Sequence, residues 1–417
     1  MFDKRQVIVV GAGPSGSAAA FYLAKAGVDV LLIDKETWPR DKPCGDGQTA
    51  IVEIYKEMGI FEEAKKVGFA LHGSRFSGIK EEMTTFDSPP QDEPGGFACP
   101  RRIIDDIVRI SALNAGVDWM ENCEVIEVIR QRNYAKGVRA VYKGKIIELY
   151  ADAVVLADGG HSTIGRPFGF FNDDPELVFI AARGYFENVN GIEEGVVEEH
   201  YPDKIFYPGG YMWIFPEGPK RANVGVFITS KNLENGNRRL EDYFSWWRDN
   251  TKYGKERLGE AKLVGEIKGW RLPTSRCVGK VHDNGILAVG DSGNHIQCYS
   301  GGGFDTGMKS GRAAAKALVE AIEKDDFSKE SLQAYKNYDE QENNFMLKFC
   351  SAIRENVCPN PETYETFLGF ARKLPNYPYN NQYIAYIAFM TKYLNIDLME
   401  KYGIDLRQMA QRPTMGH

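Results

Sequence analysis

The hydrophobic pattern opens with a β-branched run, Val7-Ile8-Val9-Val10, followed by a glycine-rich break and an apolar stretch with helical spacing. A second run, Val30-Leu31-Leu32-Ile33, ends at Asp34. Short apolar runs bounded by turn residues read as buried strands, and the stretch between these two is long enough for a helix. The predicted order is β-α-β. Apolar residues at Ile51, Ile54, Tyr55, Met58 and Ile60 then predict one helix over Thr49–Val67. Residues 73–100 read as strands broken at Pro89-Pro90 and Pro94-Gly95-Gly96. A helix is expected over Arg102–Ala115, stopped by Gly116. Glu124–Arg130, Val138–Tyr142 and Ile146–Leu149 predict a small antiparallel meander, and Ala153–Ala157 a separate buried strand.

Over residues 177–276 the pattern becomes alternating and aromatic-rich, as in Phe179–Phe186, Tyr211–Phe215 and Asn223–Ile228, with a polar helix near 238–251. A buried strand resumes at Gly285–Val289 and leads through glycines 301–303 into a small-residue helix, Thr306–Ala321. From Ser328 onward the chain reads as helical and rich in Tyr and Phe. These shifts suggest a nucleotide-binding domain in three parts (1–70, 101–170 and 277–327). An excursion (71–100), a β-rich lobe (171–276) and a C-terminal helical cap (328–417) would complete the chain.

At 417 residues the chain exceeds the usual size of a single core. A net charge of −7 argues against a nucleic-acid partner and against general attraction to anionic membranes. No apolar run is long enough to suggest a spanning helix, and the first strand begins too early to leave room for a signal peptide. The seven cysteines form no Cys-x-x-Cys pair, so they suggest no metal site and fit free thiols in a reducing cytoplasm.

Candidate chemistry begins in the first break, Gly11-Ala12-Gly13-Pro14-Ser15-Gly16. Flanked by strand and helix, with an acid about twenty residues later, it matches the dinucleotide fingerprint. Gly11 permits the tight turn, Gly13 lets a pyrophosphate approach the backbone, and Gly16 permits close helix packing. Ser15 lies at the helix N-terminus, where free N–H groups favour phosphate. Asp34, followed by Lys35, is placed to accept from adenosine ribose hydroxyls. Ala157-Asp158-Gly159-Gly160-His161-Ser162 has the A-D-G-x-x-S shape found in flavin hydroxylases, and Gly290-Asp291 leads to the Gly301–Gly303 turn. In flavoproteins of this build that Asp meets the ribityl chain, and the following helix N-terminus stabilises an anionic reduced flavin. The expected cofactor is therefore FAD. The fold class expected is α/β: a Rossmann-type FAD-binding domain with an inserted β-rich substrate lobe and a C-terminal helical region.

Tyr211, Trp213 and Phe215 alternate within Pro208–Pro216, so on a strand they share one face and suit the wall of a substrate cavity. Here the chain resembles the geranylgeranyl reductase family of FAD enzymes. Its Pro-x-x-Tyr-x-Trp-x-Phe-Pro pattern is matched at Pro208, Tyr211, Trp213, Phe215 and Pro216, and its Cys-Gly-(Asp/Glu)-Gly loop at Cys44-Gly45-Asp46-Gly47. The resemblance spans roughly residues 5–320. It implies that Cys44, Gly45 and Gly47 lie along the isoalloxazine and that Arg101 reaches the ribityl–pyrophosphate region. It also implies that Val125 contacts adenine through its backbone, and that Asp291, Gly303 and Phe304 hold the ribityl chain and ring. Two departures fall where substrate would meet the flavin: Cys298 replaces the family's usual proline, and Gln48-Thr49-Ala50 replaces an apolar continuation. Cys298 is therefore included with the expected substrate residues.

The activity implied is saturation of carbon–carbon double bonds in an isoprenoid or other apolar substrate. Hydride would come from N5 of reduced FAD while an acid protonates the alkene. Cys44, Tyr211 and Trp213 are the expected catalytic residues, the two aromatics through cation–π stabilisation of positive charge. The expected partners are a prenyl-lipid or other apolar small molecule and an external donor: NAD(P)H, ferredoxin or flavodoxin. The chain is expected as a monomer or homodimer, its C-terminal aromatics capping the cavity, mediating dimerisation or resting on a membrane. The alternatives are a flavin monooxygenase and a halogenase; for the latter, Lys80 is the candidate tunnel lysine, in a turn that reads as solvated.

Overall fold

Val7, Ile8 and Val9 lose all exposure because the strand Arg5–Val10 runs between two parallel neighbours, Val30–Ile33 and Lys145–Leu156. The computed structural model describes residues 4–87, 94–236, 238–374 and 382–407. Ile286–Ala288 and Asp118–Met120 extend the parallel sheet on either side. Pleating sends alternate residues to opposite faces. Val7, Val9 and Leu32 pack beneath the helices Pro14–Lys25, Arg101–Asn114 and Phe304–Glu323. Ile8, Val10, Leu31 and Ile33 pack against the meander residues Val138 and Leu149. The result is a Rossmann-type α/β layer, as the sequence pattern predicts.

A second eight-stranded sheet forms the β-rich lobe. Its centre is Val178–Glu187, Arg221–Thr229 and Tyr211–Pro216, and Val196–His200 pairs antiparallel with the last of these. The excursion contributes Gly73–Ser77 and Thr84–Asp87 to one edge, and Ile296–Gln297, just after Gly290-Asp291, closes the other through Lys262–Ser275. The two sheets therefore meet along the segments that carry the flavin motifs.

Three local expectations change. The single helix expected over Thr49–Val67 is two, Val52–Glu57 and Phe61–Val67, because Gly59 takes φ +72° between them. Thr49 instead ends the strand Gly47–Thr49, paired with Gly96–Ala98. Ile146–Leu149 and Ala153–Leu156 belong to one strand, Lys145–Leu156, whose first half closes the meander and whose second half enters the parallel sheet. Pro89 and Pro90 lie outside the described residues. The long helix Lys329–Asn356 serves both cores: Leu332 and Tyr335 join the first, Phe349 and Ile353 the second.

Candidate active site

The fingerprint loop has the geometry a dinucleotide requires. Gly11 adopts φ +101°, and a Cβ on Gly16 would collide with the Gly11 carbonyl, so both positions demand glycine. The helix Pro14–Lys25 starts at Gly13 with no side-chain cap and no acid in its first turn, leaving its N–H groups for an anion. Asp34 fixes this loop to the second strand: Ala12 N–H donates to Oδ2 at 2.8 Å and Glu36 N–H to Oδ1 at 2.9 Å. Lys35 is exposed beside it, and Val125 lies buried on the strand Cys123–Gln131.

A cavity of about 1430 Å³, its open mouth included, runs from Pro14 and Ser15 to the inserted lobe. Along the end where the flavin is expected lie Lys42, Cys44, Gly45, Gly47, Arg101, Asp291, Gly303 and Phe304. These residues come from four separate segments of the chain. Arg101 is gripped by Asp105 through two nitrogens, at 2.6 and 2.9 Å, and its guanidinium lies 5.1 Å from the Phe304 ring centroid. The thiol of Cys44 faces that same guanidinium. Lys42, which the sequence gives no reason to single out, bonds Asp291 at 3.0 Å across the rim. The helix Phe304–Glu323 begins at Gly303, again without a side-chain cap. Uncapped helix starts, glycine clearances and cations along one cavity fit a flavin dinucleotide.

The opposite wall is aromatic. Tyr211, Trp213 and Phe215 line the cavity with Phe227, and the Tyr211–Trp213 and Trp213–Phe215 centroids are each 6.3 Å apart. This wall is locked to the Cys44 loop. A Cβ on Gly45 or Gly47 would stand 3.0 or 3.1 Å from the Phe215 ring, so both glycines let the loop lie flat against it. Asn223, on the neighbouring strand, accepts from Trp213 Nε1 at 2.9 Å and donates to the Cys44 carbonyl at 2.7 Å and to Asp46 at 2.8 Å. Tyr185 also donates to Asp46 at 2.7 Å. Burial pushes the Asp46 carboxyl up, against the pull of Tyr185 and Asn223. Burial and the nearby Asp46 push Glu217 up to about 8. Tyr211 donates its hydroxyl to the Ser300 carbonyl at 2.5 Å, which leaves the ring face as what it offers the cavity.

Not every expected residue lines this cavity: Gly11, Gly13, Gly16, Asp34, Lys35 and Val125 lie outside the lining, and so do Cys298 and Asp158. Cys298 is fully buried and is not part of the cavity lining; burial pushes its thiol up to about 11. Asp158 is also outside the lining, its carboxyl accepting from Ser292 Oγ at 3.0 Å and so joining two strand ends of the flavin domain. Lys80 is exposed in a turn, with its backbone N–H donating to Glu365 at 2.7 Å. Among the described residues no cluster of His, Cys, Asp or Glu could hold a metal, and no helix is long and apolar enough to cross a membrane.

Sequence reading also missed Glu199, which lines the apolar end of the cavity. It is paired in register with Trp213, so both side chains project from the same face of the sheet. Its neighbour Glu198 faces the other way, where Arg257 donates to it at 2.9 and 3.1 Å and His200 lies at 3.1 Å. Despite burial, His200 and Arg257 hold Glu198 down at about 2. Glu199 has no such partner: burial drives it up to about 8, opposed only by the Tyr201 hydroxyl. From the C-terminal helices, Gln382 and Tyr383 complete this end of the cavity.

A family model described as an FAD binding domain matches residues 4–342. The chain is 31% identical over 352 residues to a digeranylgeranylglycerophospholipid reductase of Methanopyrus kandleri, covering 81% of this chain and 82% of that one. It is 30% identical over 321 residues to a menaquinone reductase of Mycobacterium tuberculosis, covering 76% and 77%. A geranylgeranyl bacteriochlorophyll reductase-like protein from Thermoplasma acidophilum superposes with a TM-score of 0.82 at 23% identity, covering 98% and 99%. The myxobacterial chondrochloren halogenase shares the fold at a TM-score of 0.72 and 24% identity, covering 97% and 93%.

Proposed function

Because the chain belongs to the geranylgeranyl reductase family of FAD-dependent oxidoreductases, we propose that it saturates carbon–carbon double bonds in the prenyl chain of a lipid or quinone. The observation that carries this reading is the continuity of one cavity, from the flavin-binding turn at Gly301–Phe304 to the aromatic wall of Tyr211, Trp213 and Phe227. An extended apolar chain suits such a passage, since its affinity comes from the apolar area it buries. Bound FAD, once reduced by an external donor, supplies the hydride.

The protein's own part is to place the double bond, keep water away and accommodate positive charge. An isolated alkene is electron-rich, so proton transfer to one carbon leaves cationic character on the other. The ring faces of Trp213 and Tyr211 would stabilise that charge by about 1–2 kcal/mol in a desolvated site. Asn223 keeps Trp213 in register with the Cys44 loop, so alkene and flavin are held by the same bonded unit. A halogenase reading is disfavoured by the exposed position of Lys80, away from the cavity.

The test is anaerobic. Dithionite-reduced enzyme should be reoxidised on mixing with a geranylgeranyl lipid, and mass spectrometry should show product heavier by hydrogen pairs. Trp213→Leu should keep bound FAD and lose reoxidation at least tenfold, the equivalent of about 1.4 kcal/mol in the barrier. Unchanged turnover in that variant, or a strict need for oxygen in the wild type, would overturn the reading.

A further inference from the structure

We propose that Glu199 is the acid that protonates the alkene, a role that rests on the prenyl-reductase reading above. Four observations place it there. It sits directly across the strand pair from Trp213, at the cavity's apolar end. Among the described residues, the other carboxyl group lining the cavity is Asp291, bonded to Lys42. The remaining proton carriers near the wall are committed or too weak: Tyr211 donates to Ser300, and burial holds the Tyr383 phenol far above neutrality. Cys44 lies against the Arg101 guanidinium.

The surroundings keep the proton on Glu199 and still stabilise the anion it leaves. The titratable groups that face it are Tyr201 just past the end of its own strand, Tyr211 on the paired strand, Cys358 in the turn before the helix Pro361–Ala371, and Tyr364, Tyr383 and Tyr386 on the C-terminal helices. None of these is a cation, and burial outweighs the single pull toward ionisation, from the Tyr201 hydroxyl. Tyr201 lies 3.3 Å from Glu199 Oε2 and 3.1 Å from the Tyr299 hydroxyl, which in turn lies 2.9 Å from the Tyr386 hydroxyl. This row of hydroxyls can turn its donors toward a carboxylate when one forms. In the step, the Glu199 O–H bond breaks and its proton forms a C–H bond with the alkene π pair. The hydride supplied by the reduced cofactor fills the adjacent carbon. The alkene gains two hydrogens, the flavin is oxidised by two electrons, and Glu199 regains its proton from solvent through the cavity mouth.

The experiment uses the FAD-loaded enzyme, with Glu199→Gln and Glu199→Asp, and geranylgeraniol as probe. Difference infrared spectra of wild type against Glu199→Gln, without substrate, should show a protonated carboxyl stretch at pH 7 that vanishes as pH rises through about 8. Anaerobic reoxidation of the reduced enzyme should fall at least a hundredfold in Glu199→Gln, within the range general acids supply. FAD content, flavin spectrum and dithionite reduction should stay as in wild type, and Glu199→Asp should recover part of the rate. An ionised carboxyl at pH 7, or a Glu199→Gln rate within threefold of wild type, overturns the proposal. A wild type that geranylgeraniol fails to reoxidise, with the carboxyl signal intact, overturns the prenyl reading itself.

Discussion

Adjacent residues of like chemistry take opposite states here because a strand alternates. Glu198 is held ionised by Arg257 and His200, whereas Glu199 is left to burial. Nothing in the sequence of the strand Val196–His200 says which glutamate faces inward. That follows only from the pairing of Glu199 with Trp213 and of Glu198 with Ile214. Asn223 was hidden for the same reason: its partners Trp213, Cys44 and Asp46 are remote in sequence. The fingerprint glycines were legible because a tight turn and a helix start are local demands. A stability signature follows for Glu199. Its folded carboxyl titrates at about 8 against an ordinary 4.5, so the folded chain holds a proton that the unfolded chain has released between those values. Stability from this group should therefore fall as pH rises through that window, by at most about 1.4 kcal/mol per unit, and level off above it. Urea unfolding of wild type and Glu199→Gln across pH 4.5–8 checks this: the difference between them should tilt in favour of the variant as pH rises. A difference independent of pH would refute it.

Between elements, the decisive contact joins the first and last helices of the flavin domain. Ser15 on Pro14–Lys25 meets Gly290, Gly307 and Gly311, and a Cβ on Gly311 would collide with the Ser15 carbonyl and stand 2.9 Å from Ala19 N. The small-residue pattern of Thr306–Ala321 was visible in the sequence, but its reason is this close approach. Likewise, the strand Lys145–Leu156 escaped reading as one element because its polar, alternating half and its fully buried half meet different layers. Helix propensity alone makes Gly→Ala favourable by about 1 kcal/mol in a helix interior. At Gly311 the collision should win, since forced overpacking costs about 1–3 kcal/mol. Gly311→Ala should lower Tm and weaken FAD retention together, because displacing Ser15 moves the uncapped helix start proposed to face the pyrophosphate. Calorimetry and flavin release on gel filtration measure both; a raised Tm would show that the two helices have room to spare.

At the scale of the molecule, both cores share the helix Lys329–Asn356, and its midpoint is bonded to the flavin segment. Asp339 meets His295 Nε2 at 2.5 Å, while His295 Nδ1 lies 2.9 Å from the Gly290 carbonyl. Both ring nitrogens thus face oxygen atoms, an arrangement that suits an imidazolium. Burial opposes that charge, but Asp339 and the Gly290 carbonyl outweigh it and raise the His295 pKa above 6.5. Asn343, one turn further along, donates to Asp339 at 2.7 Å and to the Thr306 carbonyl at 3.1 Å, tying in the start of the helix Phe304–Glu323. The pair therefore fixes Gly290-Asp291 relative to both lobes, so loss of either partner should loosen the flavin site from a distance. Removing one member of a buried pair strands the other, at about 3–5 kcal/mol. His295→Gln and Asp339→Asn should each be destabilised by that order, and the double variant by clearly less than their sum. The coupling between them should be full below pH 6.5, where even the unfolded histidine is charged, and should decline as pH rises through the raised folded value. A double-mutant cycle in urea at pH 6 and again well above neutrality measures it. Additive losses, or a coupling equal at both pH values, would mean that His295 is neutral and that the helix holds the flavin segment by packing alone.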